Sequence, residues 1–246
     1  MKNKSVSSQE NRNVIRWVRW APSRDTAVAF ASLLLMIPAY YSVTHWLMSK
    51  AAGILVFGIL TNLILNVLLP VWWIAYYRRQ PVSELGITTR RWLPSLLIGI
   101  GVAGIFAFGL WRRVASINWL PHLLTNVECF WEPFFVYGWL QLRFDRAFGV
   151  VPGVILAGLS LAAYHIGTFP PNYLIVLLLV GLFYGAVFRI TSNLLIIWPL
   201  AFPIGSAIGT LAGGMQFTWV HVSFQFLILL LQLSVIGYTW RRQNRR

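Results

Sequence analysis

The 246-residue chain is 58% hydrophobic and only 11% charged, with a mean hydropathy of +0.67, so it carries more apolar surface than a water-soluble core buries. This composition excludes an ordinary soluble protein, and the single cysteine, Cys129, excludes an internal disulfide. The net charge of +14 raises the question of nucleic acid, but the basic residues are scattered over short loops and two tails, so we expect no nucleic-acid partner.

Eight apolar runs follow one another along the chain, separated by short stretches with charge, proline, glycine or asparagine. Their lengths are close to the roughly 20 residues that a helix needs to cross a hydrocarbon core, and they lack the alternating polar period of a membrane barrel. The predicted spans lie near residues 27–48, 53–77, 93–111, 120–142, 150–166, 172–188, 194–213 and 217–240. The predicted fold class is an all-α integral membrane protein with a bundle of about eight transmembrane helices.

The basic residues indicate how these spans are oriented. With the N-terminus in the cytoplasm, all but three of the 20 lysine and arginine residues lie on the cytoplasmic side, the exceptions being Lys50, Arg112 and Arg113. The positive-inside rule then predicts an even number of spans with both termini in the cytoplasm.

The same pattern predicts the domain organisation. We expect a basic cytoplasmic segment at residues 1–25 with no cleaved signal peptide, a single polytopic membrane domain at 26–240, and a basic cytoplasmic tail at 241–246. The expected location of this multi-pass protein is the bacterial cytoplasmic (inner) membrane. Membrane lipids are expected partners, because basic tails are attracted to anionic headgroups.

Two of the six acidic residues stand in the fourth predicted span, within "NVECFWEPFFVYGWLQLRF" at residues 126–144. Glu128 and Glu132 are four positions apart, which on a continuous helix places both on one face, one turn apart. A charged group at membrane depth costs at least ~2.5–3.5 kcal/mol on insertion scales, so such residues indicate a functional site. The alternative is a structural hydrogen bond between helices, donated by a protonated glutamate.

Four short motifs, taken together, resemble the CPBP family of CAAX proteases and bacteriocin-processing enzymes, also called Abi proteins. "EPFFVYGWLQ" is similar to the first signature, E-E-x-x-x-R followed by glycine, and "SELGIT" resembles the L-G-L/I turn of the family. "AAYHIG" is similar to the second signature, F-x-x-x-H, and "RITSNLLIIWPLAFPIG" resembles the stretch that leads into the third, H-x-x-x-N. The resemblance covers roughly residues 80–215, with degraded motifs that mark a divergent member.

The resemblance carries two polar signature residues over to this chain. Glu132 takes the place of the first glutamate, and His165 that of the second-signature histidine. Three others have changed: the second glutamate is Pro133, the arginine is Tyr137, and the phenylalanine before the histidine is Leu161.

The third signature has lost both of its polar residues. Without gaps, Ala201 stands where its histidine belongs and Gly205 where its asparagine belongs, and an alternative register places Ile204 and Ile208 there. Members of the family are glutamate-dependent intramembrane peptidases, so the resemblance implies that Glu132 and His165 form the half of the site that activates water. The half that stabilises the oxyanion is missing in either register.

The other histidines are weaker candidates. Glu128, His165 and His221 are expected at one level of the bundle and resemble a zinc set, but no H-E-x-x-H spacing accompanies them, so we predict no metal and no cofactor. His221, His45 and His122 stand near span ends beside aromatic residues, as interfacial anchors do. The alternative for His45 and His122 is axial ligation of a pigment or haem.

Two functions of different class follow from the sequence. The first, which we favour, is a catalytically silent relative of the peptidases that serves as a subunit or assembly partner of a membrane protein complex, with a membrane-protein partner. The second is an active intramembrane endopeptidase with a divergent site built from Glu128, Glu132, His165 and His221. A side-chain donor facing Glu132 and His165 from the seventh or eighth span would favour the second.

Overall fold

A computed structural model describes residues 16–45, 50–114, 119–201 and 217–245, and within these ranges the chain is helical with no strand. Eight helices are named here, and two of them, α2 and α5, run continuously through several shorter segments. Helix α2 begins with Lys50–Gly53, continues through Ile54–Leu68 and Leu69–Val71, and ends with Trp72–Tyr77. Helix α5 begins with Trp131–Pro133, continues through Phe134–Gln141, and ends with Leu142–Phe148. The other helices are α1 (Arg24–His45), α3 (Trp92–Val114), α4 (Trp119–Glu128), α6 (Val150–Ala163), α7 (Pro171–Thr191) and α8 (Trp219–Asn244).

The all-α membrane class is confirmed. Helices α1, α2, α7 and α8 are long and apolar enough to cross a membrane, and α3 and α6 contain shorter apolar stretches. The predicted seventh span begins with a 3-10 turn at Leu194–Ile196 and a helix described over 198–201; its remainder lies outside the described residues.

The fourth predicted span is not one helix, contrary to our expectation. The chain leaves the helix after Glu128 and resumes it at Trp131. Pro133 explains the break, because it has no N–H to bond the carbonyl of Cys129 and its ring clashes with that carbonyl. The prediction that Glu128 and Glu132 stack on one helical face is therefore wrong.

Helix α5 forms the centre of the bundle. Every residue of Phe134–Gln141 is buried. Aromatic side chains supply most of the volume, among them Phe134, Tyr137 and Trp139. Two of its polar side chains donate hydrogen bonds: the Trp139 indole N–H to Ser32 Oγ at 3.0 Å, and the Gln141 amide to the Gly185 carbonyl at 3.0 Å.

The remaining helices surround α5. Helices α6 and α7 form a hairpin in which Gly158 faces Gly181, and a Cβ on Gly181 would lie 2.7 Å from Cα of Gly158. Small residues allow this close approach of two membrane helices. Helix α8 packs against α2 and α4, and α1 packs against α2.

Polar contacts gather at the end of the bundle that contains the start of α1; we term it the inner end. Asp25 pairs with Arg78 at 3.1 Å, Asp145 with Arg189 at 3.1 Å, and Glu84 with Arg146. Each pair joins segments that the sequence places in the cytoplasm. The opposite end, which holds the end of α1 and the start of α8, is termed the outer end.

The inner end also anchors the polar segments that flank the membrane domain. The Arg19 N–H donates to the Phe148 carbonyl at 2.8 Å and the Ala21 N–H to the Ala147 carbonyl at 2.7 Å, so residues 16–21 lie along the turn between α5 and α6. At the other terminus α8 continues through Asn244 into the predicted tail. The domain boundaries themselves stay a prediction.

The orientation of the bundle remains a prediction with a direct test. Reporter fusions at Arg246 and next to Lys50 are expected to report opposite sides of the membrane, with Arg246 cytoplasmic, because the basic residues concentrate on one side. Signals from the same side at both positions would contradict the predicted topology.

Candidate functional site

A cavity of about 280 Å³ opens in the outer half of the bundle, between α1, α2, the α4–α5 break, α6, α7 and α8. Its lining is mixed. The aromatic members are Tyr40, Phe57, Trp131, Phe169, Tyr184 and Phe217, and the polar members are Thr125, Asn126, Glu132, His165, Thr168 and Gln225. The cavity thus has apolar walls with a few convergent polar groups, as small binding sites do.

Glu132 is placed in this cavity by the restart of the helix at α5. It lies in the first turn, where the helix dipole favours a carboxylate, and its side chain is partly accessible from the cavity. The hydroxyl of Tyr164 lies near its carboxylate but does not reach standard hydrogen-bond geometry. Glu132 therefore has capacity to bond a further group in the cavity.

His165 reaches the same cavity from the turn that ends α6. Its Nδ1 bonds the Leu161 carbonyl at 2.8 Å, which identifies Nδ1 as the protonated nitrogen and leaves Nε2 as an acceptor. The rings of Tyr40 and Phe169 pack against it at centroid distances of 5.3 and 5.4 Å. The imidazole is thus held in one orientation.

The structure brings Glu132 and His165 together at one cavity without a direct hydrogen bond between them. Because the resemblance makes Glu132 and His165 one half of a site, we expect direct or one-water hydrogen bonding between them, and the direct bond is not formed in the part of the chain described. A bridging water between Glu132 and Nε2 of His165 stays a prediction.

Glu128 does not join this pair. It ends α4, is 7% exposed, and its Oε2 has no hydrogen-bond partner among the described residues. The cavity lining includes Glu132 but not Glu128, because the break between α4 and α5 separates the two side chains.

The family-like turns position the helix that carries Glu132. The N–H of Leu194, in "TSNLL", donates to the carbonyl of Gly86, in "SELGIT", at 3.0 Å. The Asn193 amide bonds the carbonyls of Thr88 and Arg90 at 2.8 and 3.0 Å. Both turns contact α5 at Gly138. Segments from three motifs that are distant in sequence therefore pack together at the helix that carries Glu132.

The positions that lost their signature residues are also informative. Pro133, Leu161 and Ala201 all line the cavity with Glu132 and His165, so the ungapped register places the third-signature position at the site. Ala201 offers only a methyl group there. Gly205, and the alternatives Ile204 and Ile208, lie outside the described residues.

Tyr137, in place of the arginine, is 1% exposed and packs near the rings of Tyr184 and Phe188 at 6.0 and 6.2 Å. Its hydroxyl has no hydrogen-bond partner within the described ranges. The position aligned with the signature arginine is therefore occupied by a residue of the aromatic core.

Sequence reasoning missed Gln225. It lies in α8, is 6% exposed and lines the cavity, where its amide N–H contacts Cys129 Sγ at 3.8 Å while its Oε1 has no partner among the described residues. The available signal was the pair Gln225 and Gln232, seven residues apart on one face of an apolar span.

The other histidines do not line the cavity. His221 caps the start of α8, its Nδ1 lying 3.1 Å from the N–H and 2.9 Å from Oγ1 of Thr218. His122 accepts from the N–H of Phe217 at 3.2 Å, and His45 stacks on Tyr41 at 4.0 Å. Glu128, His165 and His221, which we expected at one level of the bundle, therefore do not line one cavity. No group of three metal-binding side chains occurs in the described ranges.

A family model described as Type II CAAX prenyl endopeptidase Rce1-like matches residues 118–202, about a third of the chain. The matched segment runs from the start of α4 through α7 to Ala201 and contains Glu132 and His165. No curated protein and no solved structure matches the chain.

Proposed function

We propose that the chain is a catalytically silent member of the CPBP family, a proposal supported by the match over residues 118–202, and that it binds a membrane-protein partner as a subunit or assembly factor of a membrane complex. The observation that carries the proposal is Ala201, whose methyl group faces the cavity at the position of the family's third-signature histidine. Loss of a single oxyanion donor typically costs ~100- to 1,000-fold in rate.

The loss of the paired carboxylate and of the arginine supports the same proposal. Pro133 and Tyr137 supply no charge to the site, and Tyr137 is instead packed among aromatic rings. Glu132 and His165 then act as a polar pair inside an apolar bundle. The cavity that holds them is the part of the protein best suited to receive a polar group from a partner helix.

Reconstituted protein tests catalysis directly. With membrane-anchored peptides, prenylated and unmodified, cleavage by the full chain in proteoliposomes is expected at least ~100-fold below that of an active family member assayed in parallel. Cleavage at a comparable rate that Glu132→Gln abolishes would contradict the proposal.

Mild-detergent purification followed by mass analysis tests the partner. A membrane protein in stoichiometric amount is expected after chemical crosslinking in the membrane, and substitution of a cavity residue such as Leu177→Trp is expected to reduce it several-fold. Leu179→Trp, on the lipid-facing side of the same helix, is the control: Leu177 is 5% exposed and Leu179 60%. Equal recovery from both variants would oppose a cavity-bound partner.

One observation favours the second candidate, an active endopeptidase. Gln225 brings an amide from α8 to the cavity of Glu132 and His165, and an amide N–H is a competent oxyanion donor. On this candidate Gln225→Leu reduces cleavage by ~100-fold, whereas Phe226→Leu, on the lipid-facing side, leaves it unchanged. Absence of cleavage in the parent protein excludes this candidate.

A further inference from the structure

A groove runs along the outside of the bundle between α2 and α8, away from the cavity that holds Glu132. It consists of two contiguous depressions of about 670 and 610 Å³, which share Tyr76 and Thr239. We refer to their union as the α2–α8 groove.

The part of the α2–α8 groove that lies farther from the inner end is apolar. Its walls include Ile64, Leu68, Trp72 and Val235, and Ile64 and Trp72 are 43% and 52% exposed. From Ser234 to Arg242 the groove follows nine residues of α8, a rise of about 12 Å at 1.5 Å per residue. Half of a hydrocarbon core of about 30 Å is of similar length, so the groove as a whole spans most of one leaflet.

The inner end of the α2–α8 groove is basic. Arg79 and Arg242 line it, and neither takes part in an ion pair within the described ranges. The Arg242 guanidinium lies over the Tyr76 ring, 5.5 Å from its centroid. Two unpaired guanidinium groups above an apolar channel complement an anion attached to a hydrocarbon chain.

The loop beside these arginines is held in place. Gln243 donates to the Gln80 carbonyl at 2.9 Å and accepts from the Val82 N–H at 3.1 Å, which fixes the end of α8 against the loop after α2. The basic end of the groove is therefore preformed between the two elements that carry Arg79 and Arg242.

We propose that the α2–α8 groove binds one anionic glycerophospholipid of the cytoplasmic leaflet. An acyl chain occupies the apolar part, and the phosphodiester lies between Arg79 and Arg242. A phosphatidylglycerol-type headgroup carries the net negative charge that two arginines complement, whereas a zwitterionic choline headgroup lacks it. This site is independent of the proposed function, because it shares no residue with the cavity.

Native mass spectrometry of the full chain in nanodiscs tests the site. In equal mixtures of phosphatidylglycerol and phosphatidylcholine, one phosphatidylglycerol is expected to remain bound per chain after detergent extraction. The double variant Arg79→Gln/Arg242→Gln is expected to lower its occupancy at least five-fold, and Val235→Trp, which fills the apolar part, to do the same with both arginines intact.

Two controls separate this site from general charge attraction. Arg241→Gln/Arg245→Gln removes the same charge from residues of the same helix end that do not line the groove, and occupancy is expected to stay within two-fold of the parent. Equal loss in both double variants would overturn the proposal in favour of nonspecific attraction. Displacement of the lipid by millimolar inorganic phosphate would overturn it in favour of a free-anion site.

Discussion

Gly138→Ala is expected to abolish most of the folded protein. A Cβ at this position would lie 2.4 Å from the carbonyl oxygen of Leu85 and 3.2 Å from the Leu194 side chain. The first of these is backbone in a turn that is itself bonded to residue 194, so it has no flexible side chain to move aside. Overpacking of a core costs typically 1–3 kcal/mol, and this contact belongs at the upper end, about 3 kcal/mol.

The matched control is Gly101→Ala in α3. A Cβ there meets nothing within 4 Å, and alanine is the better helix former by about 1 kcal/mol, so unchanged or slightly higher stability is expected. The protein is heated in detergent, and the fraction that remains folded is measured by size-exclusion chromatography. If the Gly138→Ala protein resisted heating as well as the control does, the two turns would not pack against α5 as closely as described.

Glu132→Leu is expected to lower abundance strongly, whereas Glu132→Gln is expected to be nearly neutral for the biological role. Leucine removes the carboxylate that lies near the Tyr164 hydroxyl, and loss of a polar interaction inside an apolar bundle is expected to cost about 1–3 kcal/mol. Glutamine keeps the shape and a hydrogen-bonding oxygen. The measurement is the amount and thermal stability of the protein in membranes, together with a growth or complex-assembly phenotype.

A double-mutant cycle shows whether the Tyr164 hydroxyl is the relevant partner. Tyr164→Phe combined with Glu132→Leu removes both polar groups, so the double variant is expected to recover part of the stability that Glu132→Leu loses. If Glu132→Gln destroyed function while folded protein stayed at normal levels, the carboxylate would be acting chemically and the peptidase candidate would replace ours.

The sequence predicted the long helices well, because apolar length is the dominant signal in a membrane. The first span was expected at 27–48 and α1 occupies Arg24–His45; the last was expected at 217–240 and α8 occupies Trp219–Asn244. The error at the fourth span has a local cause. Pro133 removes one backbone donor in the middle of an unbroken apolar run, and hydropathy does not register that loss.

The sequence predicted site residues only within motifs whose order along the chain resembles that of the family. The order and spacing of the family-like motifs gave Glu132 and His165, and the structure brings both to one cavity. Gln225 lies in α8, beyond the resemblance at 80–215, and the packing of α8 against α2 and α4 brings it to the cavity. Glu128 was misplaced because its position depended on helix continuity through Cys129.

The three ion pairs at the inner end make the bundle mechanically asymmetric. Asp25, Glu84 and Asp145 each join two segments there, whereas aromatic rings around Tyr40, His165 and Phe169 make many of the contacts at the outer end. Because these ion pairs tie segments together at the inner end, we expect the helices to separate more readily at the outer end. A molecule that enters the cavity is then expected to arrive from the outer side of the bundle.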